Sequence, residues 1–217
     1  MNIELFLQLS CGIFWIMTYI IIIYKSFKDK TCGMPLFALA LNLAWEFTFS
    51  FIYPPENLLM ARIMFILWLI LDLIILYTFF KYGYENLKYK NLITKKELNI
   101  FAILDILFLI IFIILFVNDI SILYENSIVQ ASGFIANLQN LIMSILFVNM
   151  ILNRGNTLGQ SIFIAIFKWI GTLAIAILKF SNMLPSTNTE LLIIMLIQVF
   201  DIIYIHLTYK ISNRKCN

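Results

Sequence analysis

The sequence predicts an all-α membrane protein, a bundle of seven transmembrane helices, and three observations carry that prediction. Of 217 residues, 62% are apolar and 12% charged, and the mean hydropathy is +0.94; soluble domains carry about 25% charged residues. Apolar stretches of about 20 residues, the length a helix needs to cross a hydrocarbon core, recur along the whole chain. The segments that separate them alternate in charge.

The first stretch, residues 5–24, ends at the basic run 25–33. It lacks a basic leader and its positive charges follow it, so it reads as a retained span rather than a cleaved signal peptide. The second, 34–53, stops at Pro54-Pro55, because proline cannot continue a helix. The third, 61–81, runs into Gly83 and the lysine-rich segment up to Lys96. Polar residues 118–126 follow the fourth, 98–117, and residues 153–157 follow the fifth, 129–152. Residues 181–186 separate the sixth, 159–180, from the seventh, 189–209. None shows the two-residue alternation of a barrel strand, and a backbone in lipid must satisfy its own hydrogen bonds. Residues 1–217 read as one domain.

Segments after spans one, three, five and seven hold Lys25, Lys28, Lys30, Lys81, Lys88, Lys90, Lys95, Lys96, Arg154, Lys210, Arg214 and Lys215. The opposite side has Glu4, Glu56, Asp119, Glu125 and Glu190, with Arg62 and Lys179 near its boundary. The positive-inside rule then puts the amino terminus outside and the carboxyl terminus in the cytoplasm. A net charge of +3 gives no reason to expect nucleic acid. Cys11, Cys32 and Cys216 show no metal or disulfide spacing. The absence of a repeat, and few prolines or glycines inside the spans, argue against a broken-helix transporter.

A charged side chain at mid-bilayer costs roughly 2.5–3.5 kcal/mol on insertion scales and marks function by default. Glu46, Asp72 and Asp201 fall inside spans two, three and seven, and Lys168 is central in span six. Asp105, nearer an interface, and His206, near a span end, read as structural or interfacial residues. The neighbours of the acids make helix faces. Asn42, Trp45 and Glu46 share one stripe; Trp68 and Asp72 share another; Gln198 lies one turn from Asp201. Asn137, Asn140 and Ser144 share a face that serves equally as interhelical tie or pocket lining. Asp72 is expected in the pocket or paired with Lys168. Trp15, Trp45 and Trp68 lie within spans rather than in an interfacial belt.

A carboxyl group in a dry pocket is favoured in its neutral form. Beside aromatic rings it suits protonation of an alkene or epoxide on a lipophilic polyene, with ring faces stabilising the resulting carbocation. Excluding water protects that cation. One histidine gives no His-rich metal box, and no serine elbow, phosphate loop or dinucleotide fingerprint is present. No Asp-Asp-x-x-Asp run binds a magnesium diphosphate, and Asn118-Asp119-Ile120-Ser121 with Glu125 has the wrong spacing for a second metal motif. Ionisation of a diphosphate is therefore not supported by these motifs, whereas protonation is.

Trp15-x-x-x-Tyr19, Asp29-Lys30 with Gly33-Met34-Pro35, and Asn42-Leu43-Ala44-Trp45-Glu46-Phe47 with Tyr53-Pro54 resemble the integral-membrane terpene cyclases. That family is known from fungal meroterpenoid and indole-diterpene pathways and has bacterial members. The likeness continues through Arg62, Trp68, Leu71-Asp72, Tyr77 and Lys81-Tyr82-Gly83. It then takes in Gln139-Asn140-Leu141-Ile142-Met143-Ser144, Arg154-Gly155-Asn156-Thr157, Gly159-Gln160-Ser161, Lys168-Trp169-Ile170-Gly171-Thr172 and Asp201. The resemblance implies that Glu46 and Asp201 are the acidic catalytic residues. It also implies protonation-initiated, class II-like cyclisation of a prenyl or prenylated lipophilic substrate without a metal or organic cofactor. Trp15, Tyr19, Asn42, Trp45, Trp68, Asp72, Asn137, Asn140, Lys168, Trp169 and Gln198 are expected to bind it. Twelve lysines against three arginines suggest an AT-rich bacterial source and a bacterial cytoplasmic membrane. The competing readings are a proton-coupled carrier or a sensor for a small amphiphile that uses the same carboxylates. A retinal protein is disfavoured, since span seven has no Schiff-base lysine.

Overall fold

A computed structural model of the chain describes residues 3–55, 58–87 and 90–214. Glu56, Lys88, Lys215 and Cys216, assigned above to loops or termini, lie outside the described residues. Among those residues there are seven α-helices and no strand. They are α1 (Ile3–Asp29), α2 (Leu36–Phe47), α3 (Leu59–Thr78), α4 (Lys95–Ile122), α5 (Ile128–Arg154), α6 (Ile162–Phe180) and α7 (Asn188–Arg214). Single π turns extend α2 over Thr48–Ile52 and α3 over Phe79–Gly83.

Side-chain caps fix four of the starts, Thr187 at α7 through the Glu190 N–H among them. Thr94 and Glu97 form a reciprocal capping box at α4, Ser127 caps α5 through the Gln130 N–H, and Ser161 caps α6 through the Ile164 N–H. Gly155, in the left-handed region at φ 60°, ends α5. The sequence boundary at Asn118 is too early. Asn118 bonds back to the Ile114 carbonyl and Ser121 to that of Asn118, so α4 carries its polar residues on to Ile122.

Among the described residues six helices are long and apolar enough to cross a membrane. The second element differs from its expectation of a full-length span: with its π turn it covers only Leu36–Ile52. Pro35 precedes it and Pro54-Pro55 follow, which stops extension at both ends. Every residue of α2 from Ala38 to Glu46 is buried, as befits a helix enclosed by others. It packs on α3, α4 and α5, while α1 packs on α3 and α6, and α7 on α5 and α6. The outward residues of α4 are large and apolar, among them Phe101, Leu104, Phe108, Ile111 and Leu115.

At the basic end of the bundle the α1–α2 and α5–α6 connections lock together. A Cβ added to Gly33 would lie 2.6 Å from the Gly159 carbonyl oxygen, and Gly159 itself has φ 72°. The Gly159 N–H donates to Asp29 Oδ2 at 2.9 Å, and Arg154 Nη2 donates to the Cys32 carbonyl at 2.9 Å. The Gln160 amide donates to the Gly33 carbonyl and accepts from the Tyr204 hydroxyl. The motif residues around Asp29, Gly33, Arg154, Gly159 and Gln160 therefore hold the fold at this end.

Candidate active site

A cavity of about 310 Å³ lies among α1, α2, α3, α5 and the end of α6, and reaches the α6–α7 connection. From α1, Gln8, Cys11, Trp15 and Tyr19 line it; their spacing of three and four residues is one helix stripe. Asn42, Trp45 and Glu46 come from α2, and Phe65 and Trp68 from α3. Gly133, Ala136, Asn137, Gln139 and Asn140 come from α5.

The rings form two groups in the lining. Trp45 meets Phe65 edge-on with centroids 4.7 Å apart, Phe65 meets Trp68 at 5.8 Å, and Trp15 meets Tyr19 at 5.6 Å. Trp45 Nε1 donates to the Ser132 carbonyl at 3.0 Å, which ties α2 to α5 and sets the angle of the indole.

Glu46 is buried in this lining. Its Oε1 accepts from the Tyr19 hydroxyl at 3.5 Å, while its Oε2 is buried without a hydrogen-bond partner. Asn42 Nδ2 donates to the Tyr19 oxygen at 2.8 Å and to Asp72 Oδ2 at 3.0 Å. That amide uses its two N–H groups on these partners, which leaves the Tyr19 proton to point at Glu46. Gln139 Nε2 donates to Asn42 Oδ1 at 3.4 Å. Asp72 is fully buried behind Asn42 and does not line the cavity. The arrangement leaves Glu46 Oε2 and Asp72 Oδ1 without hydrogen-bond partners, and of the two acids only Glu46 belongs to the cavity lining.

The remaining expected site residues divide. Trp15, Tyr19, Asn42, Trp45, Trp68, Asn137 and Asn140 line the cavity with Glu46. Lys168, Trp169, Gln198 and Asp201 do not. Lys168 Nζ pairs with Asp201 Oδ1 at 2.5 Å and donates to Ser144 Oγ at 2.7 Å, while Thr172 Oγ1 donates to Asp201 Oδ2 at 2.8 Å. Neither reading of Asp72, in the pocket or paired with Lys168, matches its place: Lys168 meets the carboxylate of α7, and Asp72 meets an amide of α2 outside the cavity lining. Ser144 acts as a tie, whereas Asn137 both lines the cavity and bonds across helices. Asp105 is half-buried and His206 exposed.

Sequence reasoning missed a second buried charge cluster at the other end of the cavity. Glu190, read as an outer acid, is fully buried. Lys179 Nζ pairs with its Oε1 at 2.9 Å and donates to the Pro185 carbonyl at 2.6 Å. Asn137 Nδ2 donates to Oε1 at 2.8 Å and the Tyr124 hydroxyl to Oε2 at 2.9 Å. Burial, then the adjacent Glu190 carboxylate, push the Tyr124 phenol up to about 12, so it remains a donor at ordinary pH. Phe65 and Gln139 were also missed. Phe65 was legible three residues before Trp68 on the same face, and Gln139 stands beside Asn140 in the sequence.

A neighbouring cavity of about 520 Å³ shares Phe65, Val129 and Ser132 with the first. Its lining holds no carboxylate, ammonium, guanidinium or imidazole.

Residues 1–214 match a family described as Pyr4-like transmembrane terpene cyclases. The Pyr4-family terpene cyclase mfmH of Annulohypoxylon moriforme is 30% identical over 166 residues, 76% of this chain and 65% of that protein. Asnovolin H synthase nvfL of Aspergillus novofumigatus is 28% identical over 180 residues, 79% of this chain and 68% of that protein. Terpene cyclase pyr4 of Aspergillus fumigatus is 41% identical over 75 residues, 35% of this chain and 31% of that protein. The chain thus spans about two thirds of the length of the first two. These relatives are fungal and lend no support to the expected bacterial source. No solved structure matches the chain.

Proposed function

The chain belongs to the Pyr4-like transmembrane terpene cyclases, a multi-pass membrane family, and from that membership we propose that it cyclises a prenyl or prenylated lipophilic substrate by protonation. Glu46 is the proton donor. The observation that carries this reading is the position of Glu46: buried in the cavity wall, with Oε2 free of protein partners and Oε1 held by Tyr19.

In the proposed reaction the Glu46 carboxyl transfers its proton to a terminal olefin carbon or an epoxide oxygen. The olefin pair, or the broken C–O bond, leaves a carbocation that neighbouring double bonds attack to close rings. Loss of one proton from the last cation ends the sequence, so proton gained and proton lost balance and the product is an isomer of the substrate. The faces of Trp15, Trp45, Phe65 and Trp68 stabilise the travelling charge, each such contact being worth about 0.5–2 kcal/mol. Tyr19, Asn42 and Asp72 hold the acid in place, and the apolar wall keeps water from the cation.

We place all seven helices across the membrane, with short α2 lodged among the others. The basic end, with Lys25, Lys28, Lys95, Lys96, Arg154 and Lys210, faces the cytoplasm. Membranes containing the protein, incubated with farnesyl and geranylgeranyl compounds, free and attached to aromatic groups, with and without a terminal epoxide, test the reading. Conversion to a cyclic product of unchanged mass supports it. Substrate recovered unchanged but moved across vesicles with protons refutes it and identifies a carrier.

A further inference from the structure

The ion pair between Lys168 and Asp201 lies outside the cavity, yet it sits directly behind one cavity wall. Lys168 Nζ is 5.9 Å from the centroid of the Trp15 ring, and Trp15 lines the cavity. Gly171, on the same face of α6 as Lys168, presses on that indole: a Cβ there would lie 3.0 Å from Trp15 Cδ1. Lys168 is fully buried and Asp201 nearly so.

Both oxygens of Asp201 are occupied. Oδ1 takes the Lys168 ammonium and Oδ2 the Thr172 hydroxyl. Neither is left to carry a proton to a substrate, and no atom of Asp201 belongs to the cavity lining. Glu46 is the opposite case, with an oxygen that has no protein partner. A buried ammonium without a counter-ion is strongly destabilising. Next to an indole it also competes with any other cation for the electron-rich ring.

We propose that Asp201 is a positioning residue, the counter-ion of Lys168, which neutralises the ammonium behind Trp15 so that this indole remains available to a carbocation in the cavity. Asp201 transfers no proton to the substrate. Its loss acts through Lys168, and removing both charges together restores the site. This assignment rests on the cyclase reading above, and its test separates the two.

The test is a double-mutant cycle with Asp201→Asn, Lys168→Met and the two combined, read as melting temperature in detergent and as kcat per folded molecule with a converted substrate. Asp201→Asn lowers Tm by about 10 °C and kcat at least roughly tenfold, with KM within about threefold of wild type. The combined variant regains most of the lost Tm and brings kcat to within about fivefold of wild type. A combined variant as inactive as Asp201→Asn overturns the assignment and makes Asp201 a proton carrier. So does an Asp201→Asn protein that melts at the wild-type temperature. Where wild type converts no substrate the cyclase reading fails by itself, and the Tm cycle still decides whether Asp201 is the counter-ion.

Discussion

The Tyr19 hydroxyl lies 3.5 Å from Glu46 Oε1 and receives the Asn42 amide at 2.8 Å, so α1 and α2 share the acid's support. The buried phenol is the link through which a hydrogen-bonded chain from Asp72 and Asn42 reaches Glu46. Removing the phenol oxygen leaves Glu46 in the cavity with one restraint fewer and leaves one Asn42 N–H without its acceptor.

Tyr19→Phe is therefore expected to lower kcat about tenfold and to cost about 1–3 kcal/mol of stability for the orphaned amide. KM should change little, because the ring face of the residue is retained. A variant with wild-type kcat would remove Tyr19 from the support of the acid.

Gly133 lines the cavity, and a Cβ added to it meets no atom within 4 Å. Gly133→Ala should keep activity within about threefold and raise stability by up to roughly 1 kcal/mol, as expected inside a helix. Gly133→Phe should fill the chamber and abolish conversion while Tm moves by only a few degrees, since the ring enters open space rather than packed core. Full activity in the phenylalanine variant would place the substrate elsewhere.

At the basic end, Gly159→Ala meets both a φ of 72° and a clash, with Thr31 Cγ2 at 2.7 Å and the Gly33 Cα at 2.9 Å. The expected cost is about 2–4 kcal/mol, seen as a Tm lowered by roughly 5–15 °C. Per folded molecule the variant should cyclise normally, because no residue of this latch reaches the cavity. An unchanged Tm would show that the two connections are not locked together.

Much of this is legible in the amino-acid sequence. Helix existence followed from apolar length, and Glu46 with Asn42 and Trp45 followed from their cost in lipid and their shared stripe. What sequence could not supply was pairing between helices. Lys168 stands nearly as far along its own span as Asp72 or Asp201 does along theirs, so span depth alone allowed either partner. Contact among α5, α6 and α7 decides for Asp201. Glu190 looked like a loop charge because it opens α7 next to polar Thr187, Asn188 and Thr189, and only packing against Tyr124 and Asn137 buries it. The motif around Gly33 and Gly159 carried the family likeness, but its close backbone approach is a property of two distant loops and has no local signature.

The most direct measurement is the turnover of Glu46→Gln, purified in detergent and shown to melt within a few degrees of wild type, on a substrate that wild type cyclises. Glutamine keeps the size of the side chain and an oxygen for Tyr19 but has no acidic proton to give, so kcat should fall by about 10²–10⁴ or more. Cyclisation by the folded variant within tenfold of the wild-type rate, a margin smaller than the range for a lost general acid, would contradict the assignment of Glu46 as the acid that starts the reaction.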